Sequence, residues 1–392
     1  MARLPIMPTR KAGVLPQPTR VVIPPDGSDG ASFFSGVYPP YVSYLGGTSL
    51  ADNLKRGRFI SSFMWSVYSD ACGFPFENQS PMDIYAHNNN QWVSGLTEPK
   101  NSHKKNLKLG GWTDDTQLKI AIMESILSEN GINMESMAEG HVRMLDLGPR
   151  GWGGSTRDSV MRLKAGVPWD KAGYHDEPEK GGGNGIPMKT GVIGAYYAAK
   201  FGDHLTSTGS WYLPTGLSVY TLIANSVRDI AIMTHLDSRP IIAGIVQAIL
   251  VAWGVLDHPL DWERMMRMIR KLEDFFPNDG DTLSSRLIHI DLDRDLEYHA
   301  HIFRTGCYVL ESYSFTIAAY LLYRDMKGTP DDIPEWIHQV VNCGGDCDST
   351  AAMFGELAGA TQEGDSELWA PLEEVDRLKS LAAAFWDSSL RK

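Results

Sequence analysis

Apolar residues recur every three or four positions through most of this 392-residue chain, and almost nowhere do they alternate. A period near 3.6 gathers them on one stripe of a helix, whereas a half-buried strand needs a period of two. Nine segments carry the helical pattern: 56–73, 116–130, 134–147, 216–235, 238–256, 261–276, 307–326, 348–360 and 374–386. Within them, 241–256 and 307–323 are apolar nearly all round, which predicts central helices enclosed by others. The pattern predicts an all-α chain with one compact multi-helix domain over 51–392 and function on the loops at helix starts.

Residues 1–50 differ. They are rich in Pro, Gly and Ser, lack a helical period, and carry Phe33, Phe34, Tyr38, Tyr41 and Tyr44. Aromatic residues are uncommon in plain linkers, so an extended N-terminal arm docked on the body or on a partner is expected. The 48 acidic against 36 basic residues give a formal charge of −12, which argues against a broad nucleic-acid or anionic-membrane surface. Cys72, Cys307, Cys343 and Cys347 are too few for a disulfide framework and lack the second pair of a zinc site. They read as reduced thiols. No apolar run approaches the ~18 residues of a membrane span, and prolines break the N-terminal apolar runs before a signal-peptide core can form. A cytoplasmic protein is expected.

Two acidic doublets stand out. In GGWTDDTQLKIAIMESIL, Asp114 and Asp115 sit side by side where a helix start needs only one acceptor. In VVNCGGDCDSTAAMFGELAGA, Asp346 and Asp348 precede a helix of small residues, after a Gly344-Gly345 pair that permits a tight turn. Brought together, the doublets would repel unless cations intervened. Hard divalent ions such as Mg²⁺ or Mn²⁺ take oxygen ligands, and Thr113, Asp114, Asp115, Asp346, Asp348 and Ser349 could hold two of them. Capping alone, with the two clusters on opposite sides of the protein, is the competing account.

Other residues could join such a site. Asp70 falls at the C-terminal end of its helix, the wrong end of the dipole for a carboxylate, so it requires a specific donor. Glu77 follows a Gly-Phe-Pro turn, in a loop that suits a mobile ligand or general base as well as a solvated residue. The string GGGNGIPMKTG is no P-loop, since Lys189 and Thr190 follow Met188, yet glycines leading into a helix still offer N–H groups to a phosphate. His235, between two apolar helices, could bond a ribose or a carbonyl. His299 and His301 read as a surface feature.

In this order the motifs resemble those of the ADP-ribosylglycohydrolase family, the group related to the dinitrogenase-reductase-activating glycohydrolases. SDACGFPFE is similar to its G-D-A-L-G-x-P-x-E, TDDT to its first metal motif, GNGIPMK to its G-N-G-x-x-M-R loop, and GGDCDSTAA to its G-D-x-D-T-x-A-A. The resemblance spans roughly 55–362. It implies an all-α hydrolase with two Mg²⁺ (or Mn²⁺) held by Thr113, Asp114, Asp115, Asp346, Asp348 and Ser349, with Asp115, Glu77 and Asp348 carrying the catalysis. Gly183, Asn184, Gly185, Met188 and His235 would hold the ADP-ribose. The implied substrate is an ADP-ribosylated protein, with arginine the expected linkage. The alternative is an immunity protein that binds an ADP-ribosylating toxin through residues 1–50. Ser69, Ser349 and Lys189 replace the family's Gly, Thr and Arg. Pro187 lacks an N–H, so the diphosphate contacts of its loop should differ.

Overall fold

The structure, a computed structural model, describes residues 48–100, 107–177, 180–326 and 328–390. Among them are sixteen α-helices and no strand. In chain order these are α1 (Thr48–Gly73), α2 (Pro81–His87), α3 (Asp114–Glu129), α4 (Met134–Leu147), α5 (Gly154–Lys164), α6 (Trp169–Ala172), α7 (Pro187–Thr208), α8 (Val219–Ile232), α9 (Ser238–Val255), α10 (Trp262–Phe275), α11 (Leu283–Leu287), α12 (Leu296–Phe303), α13 (Val309–Asp325), α14 (Ile333–Asn342), α15 (Cys347–Ala360) and α16 (Val375–Ser389). The all-α expectation holds. Most of the expected arm, residues 1–47, lies outside the described residues, and α1 opens at Thr48.

The centre is built from α1, α7, α9, α13 and α15. Every residue of α15 is buried, as is every residue of α9 from Pro240 to Val255. The nearly all-round apolar pattern of 241–256 therefore marks a core helix. At 18 residues α9 is also long and apolar enough to cross a membrane, which corrects the expectation that no run approaches that length, but 89% of it is buried within the protein.

Small residues let α15 lie directly on α1. A side chain at Gly355 would overlap the Trp65 carbonyl and Ser69 Oγ, and one at Gly359 the Ser61 carbonyl. With the backbones this close, α1 serines reach across: Ser62 Oγ donates to the Glu356 carbonyl at 2.7 Å and Ser66 Oγ to the Ala352 carbonyl at 2.9 Å. This satisfies buried hydroxyls that would otherwise cost stability.

Beneath the helix ends lies a buried ion pair. Lys119 Nζ of α3 sits 3.3 Å from Glu356 Oε1 of α15, both side chains almost wholly inaccessible, and also donates to Ser66 Oγ of α1. Gln247 Nε2 of α9 donates to the other Glu356 oxygen at 2.8 Å. Four helices thus share one polar node.

Two local readings are corrected. His299 is not on the surface: its ring is fully buried, with Nδ1 2.7 Å from the Asp295 carbonyl and Nε2 taking the Asp291 N–H at 3.2 Å. Helices α2, α5, α6, α11, α12 and α14 lie outside the nine segments because each is short, and Pro81, Gly154 and Pro334 at three of their starts mimic loop composition, while the 22-residue α7 is expected only as a helix following the glycine loop.

Candidate metal centre

The ends of α1, α3 and α15 meet. Ser66 and Asp70 are one turn apart on α1, Asp115 and Lys119 one turn apart on α3, and Asp348 and Glu356 two turns apart on α15. The Lys119–Glu356–Ser66 node therefore underlies a layer made of Asp70, Asp115 and Asp348. Each of these three offers a carboxylate oxygen within 4.8 Å of the other two, and all three are buried. A second group, Glu77, Asp346 and Asp348, meets the same distance, so Asp348 belongs to both.

The distant acidic doublets have converged. Ser349 Oγ donates to Asp115 Oδ2 at 3.1 Å, linking the two motifs directly, and Thr113 Oγ1 lies 3.3 Å from the same oxygen. Asp114 is buried at the start of α3 beside them. The capping account of the doublets is set aside by Asp70: from α1 it accepts the Thr113 N–H at 2.9 Å and the Thr116 N–H at 3.2 Å. A carboxylate of another helix caps α3, which is the specific donor set that Asp70's position required.

Glu77 reaches the centre through its loop. Gly344 and Gly345 adopt left-handed φ values of +74° and +72°, and the turn they make pairs antiparallel with Gln79. The Asn78 N–H donates to the Gly345 carbonyl at 2.7 Å and the Gly345 N–H to the Gln79 carbonyl at 2.8 Å. This holds the half-buried Glu77 against Asp346 and Asp348.

The glycine loop joins from a third side. Asn184 Nδ2 donates to Asp346 Oδ2 at 2.7 Å, while the Asn184 N–H is engaged by the Cys307 carbonyl at 3.0 Å. The Met188 N–H goes to the Asn184 carbonyl, so the N–H groups of Asn184 and Met188 serve the protein's own structure. Pro187 occupies the first turn of α7, where a missing N–H costs nothing. The His235 ring packs against Gly185, with Nδ1 2.8 Å from Thr234 Oγ1. Burial and then the Lys189 charge push His235 down to about 3, so it is neutral.

Electrostatics mark the centre as a place that wants positive charge. Burial, followed by Asp70, Asp348, Asp114 and Asp346, holds Asp115 well above the ordinary carboxylate value. Asp346 is also held well above it by burial, Asp348 and Glu77, against the Asn184 hydrogen bond. Asp115 Oδ1 is buried with no hydrogen-bond partner among the described residues. An orphaned carboxylate oxygen among carboxylates fits a hard divalent cation, since such ions take oxygen donors. Because raised pKa values mean protons compete with cations, the stabilisation given by Mg²⁺ over EDTA should grow from pH 5 to pH 8. Below the ordinary carboxylate value the folded and unfolded chains are both protonated; as pH rises through the folded values the bare centre becomes repulsive and a cation relieves it. At 100 times its Kd a bound ion contributes about 2.7 kcal/mol. A melting-temperature difference that does not vary with pH would rule this out.

Sequence reasoning placed Thr113, Asp114, Asp115, Asp346, Asp348, Ser349 and Glu77 in one centre and set Asn184 and His235 beside it. It did not assign Asp70 to the site, although the unfavourable dipole position was the available signal. Cys307 and Tyr308 also went unseen. Cys307 is exposed by surface area, yet crowding by the surrounding protein and then the adjacent Asp346 carboxylate push its thiol up, and Tyr308 Oη accepts from Arg239 Nη1 at 2.8 Å beside Gly182.

An uncharacterized protein of Archaeoglobus fulgidus is 25% identical over 338 residues, which cover 85% of this chain and 97% of that one. The fold is shared with a solved structure described as an ADP-ribosylglycohydrolase-related protein complex, at a TM-score of 0.60 and 23% identity, covering 86% of this chain and 99% of that one. The pattern of the ADP-ribosylglycohydrolase family matches residues 52–391, nearly the whole described body, and the chain belongs to that family.

Proposed function

We propose that this protein is a Mg²⁺-dependent hydrolase that releases ADP-ribose from an ADP-ribosylated protein, with arginine as the modified residue. The observation that carries the reading is the junction of the two doublets through Ser349 and Asp115, beside a carboxylate oxygen with no hydrogen-bond partner among the described residues. Thr113, Asp114, Asp115, Asp346, Asp348 and Ser349 would hold two ions. Bound there, the ions would supply Lewis acidity and a more acidic water.

The chain's own groups account for the rest. Cleavage at the anomeric carbon of the distal ribose builds positive charge on the sugar, and the surrounding carboxylates stabilise it. Glu77, on its half-buried loop, takes the proton from the attacking water as the new C–O bond forms, and passes it to the departing arginine nitrogen as the C–N bond breaks. Neutral His235 and the Gly183–Met188 loop orient the ADP-ribose, with Asn184 tying that loop to Asp346.

With Mg²⁺, the purified chain should release free ADP-ribose from an arginine-modified protein, lose this in EDTA, and regain it when Mg²⁺ is restored. Retention of all the label with either Mg²⁺ or Mn²⁺ would overturn the reading. An ADP-ribosyltransferase toxin is the partner proposed for residues 1–50, on their length and aromatic content. Deleting 1–45 should abolish capture of that toxin and leave hydrolysis intact; unchanged capture removes the partner proposal.

A further inference from the structure

We infer that Asp70 is a positioning residue for the cation centre and not one of its ligands. This rests on the cation-dependent reading above. By distance alone Asp70 qualifies as a ligand, with an oxygen within 4.8 Å of oxygens of Asp115 and Asp348. Its hydrogen bonds say otherwise.

An ionised carboxylate has about four lone-pair sites. Asp70 accepts from four donors. Oδ1 takes Thr113 Oγ1 at 2.8 Å and lies 3.0 Å from the Thr113 nitrogen, while Oδ2 takes Thr116 Oγ1 at 2.7 Å, the Thr116 N–H at 3.2 Å and the Thr113 N–H at 2.9 Å. Two N–H groups and two hydroxyls thus fill the acceptor capacity of a fully buried side chain. Nothing is left to donate to an ion. Asp115 presents the opposite case, with Oδ2 bonded to Ser349 and near Thr113 Oγ1, and Oδ1 without a hydrogen-bond partner among the described residues.

What Asp70 does is fix the first turn of α3. Thr113 and Thr116 bracket Asp114 and Asp115, so clamping both threonines sets the direction in which the two intervening carboxylates point. The clamp is anchored in α1, which packs on α15, so the same side chain also sets α3 relative to Asp348. Groups that orient ligands without touching the metal commonly change its affinity by about 10- to 100-fold when altered.

The test is Mn²⁺ binding to the full chain, followed by electron paramagnetic resonance and calorimetry. Asp70→Asn should weaken Mn²⁺ by about 10- to 100-fold with the number of bound ions unchanged. Thr116→Val keeps the Asp70 charge and removes one clamp, and should weaken Mn²⁺ by about tenfold; a purely electrostatic role for Asp70 would leave this variant at wild-type affinity and overturn the inference. Loss of one ion from the stoichiometry of Asp70→Asn would make Asp70 a ligand and also overturn it. Where circular dichroism shows Asp70→Asn unfolded, Thr116→Val decides alone. Mn²⁺ bound as expected without release of ADP-ribose would defeat the proposed function and leave this inference standing.

Discussion

Asp348→Ala is expected to lower ADP-ribose release on the order of 10³-fold and to remove both bound ions, whereas Asp115→Ala should remove one. The difference follows from position. Asp348 has an oxygen within reach of Asp70 and Asp115 and also of Glu77 and Asp346, so its loss opens both groups, while Asp115 belongs to one. Neither variant should unfold the protein. In EDTA each should be more stable than the parent, because the bare centre packs carboxylates that burial, and after it their mutual repulsion, drives upward at Asp70, Asp115 and Asp346. Activity, ion count and melting temperature thus move in different directions, which separates a disrupted centre from a damaged fold. Full turnover in Asp348→Ala, or two ions retained, would mean that the shared carboxylate does not bridge the centre.

Lys119→Met is expected to cost about 3–5 kcal/mol of folding stability, read by chemical denaturation. The lysine is inaccessible, and its removal leaves the buried Glu356 side chain with Gln247 as its remaining hydrogen-bond partner among the described residues. Burial already raises the Glu356 carboxyl above its ordinary value despite the attraction of Lys119. Without that attraction it should rise further, so the loss should be smaller at pH 5 than at pH 8, where the lone carboxylate would have to be charged. Replacing both partners, as Lys119→Met with Glu356→Leu, should recover most of the stability, since apolar groups of similar volume carry no desolvation cost. If single and double variants are equally unstable, packing and not charge explains the node.

Much of this was legible from local sequence. Helical period revealed α1, α3, α9 and α15, because apolar spacing is a property of consecutive residues. The surplus Asp in TDDT and in GDCDS marked the centre, because a cap needs one carboxylate and each site holds two. The same logic missed α14, whose ten residues begin at Ile333 and Pro334 and look like a loop. It also misplaced His299 on the surface, since the burial of a ring depends on what packs over it and not on its neighbours in the chain.

Residue types and their local spacing determined the helices, the stock of oxygen ligands and the family to which the chain belongs. Tertiary structure alone decided that Ser349 touches Asp115, that Asp348 serves both groups, and that Asp70 caps a helix other than its own. These facts hang on how closely α15 approaches α1 and on where α3 ends against both. A hydrogen bond forms or fails over a few tenths of an ångström, and that distance is set by side chains packed between helices far apart in the chain.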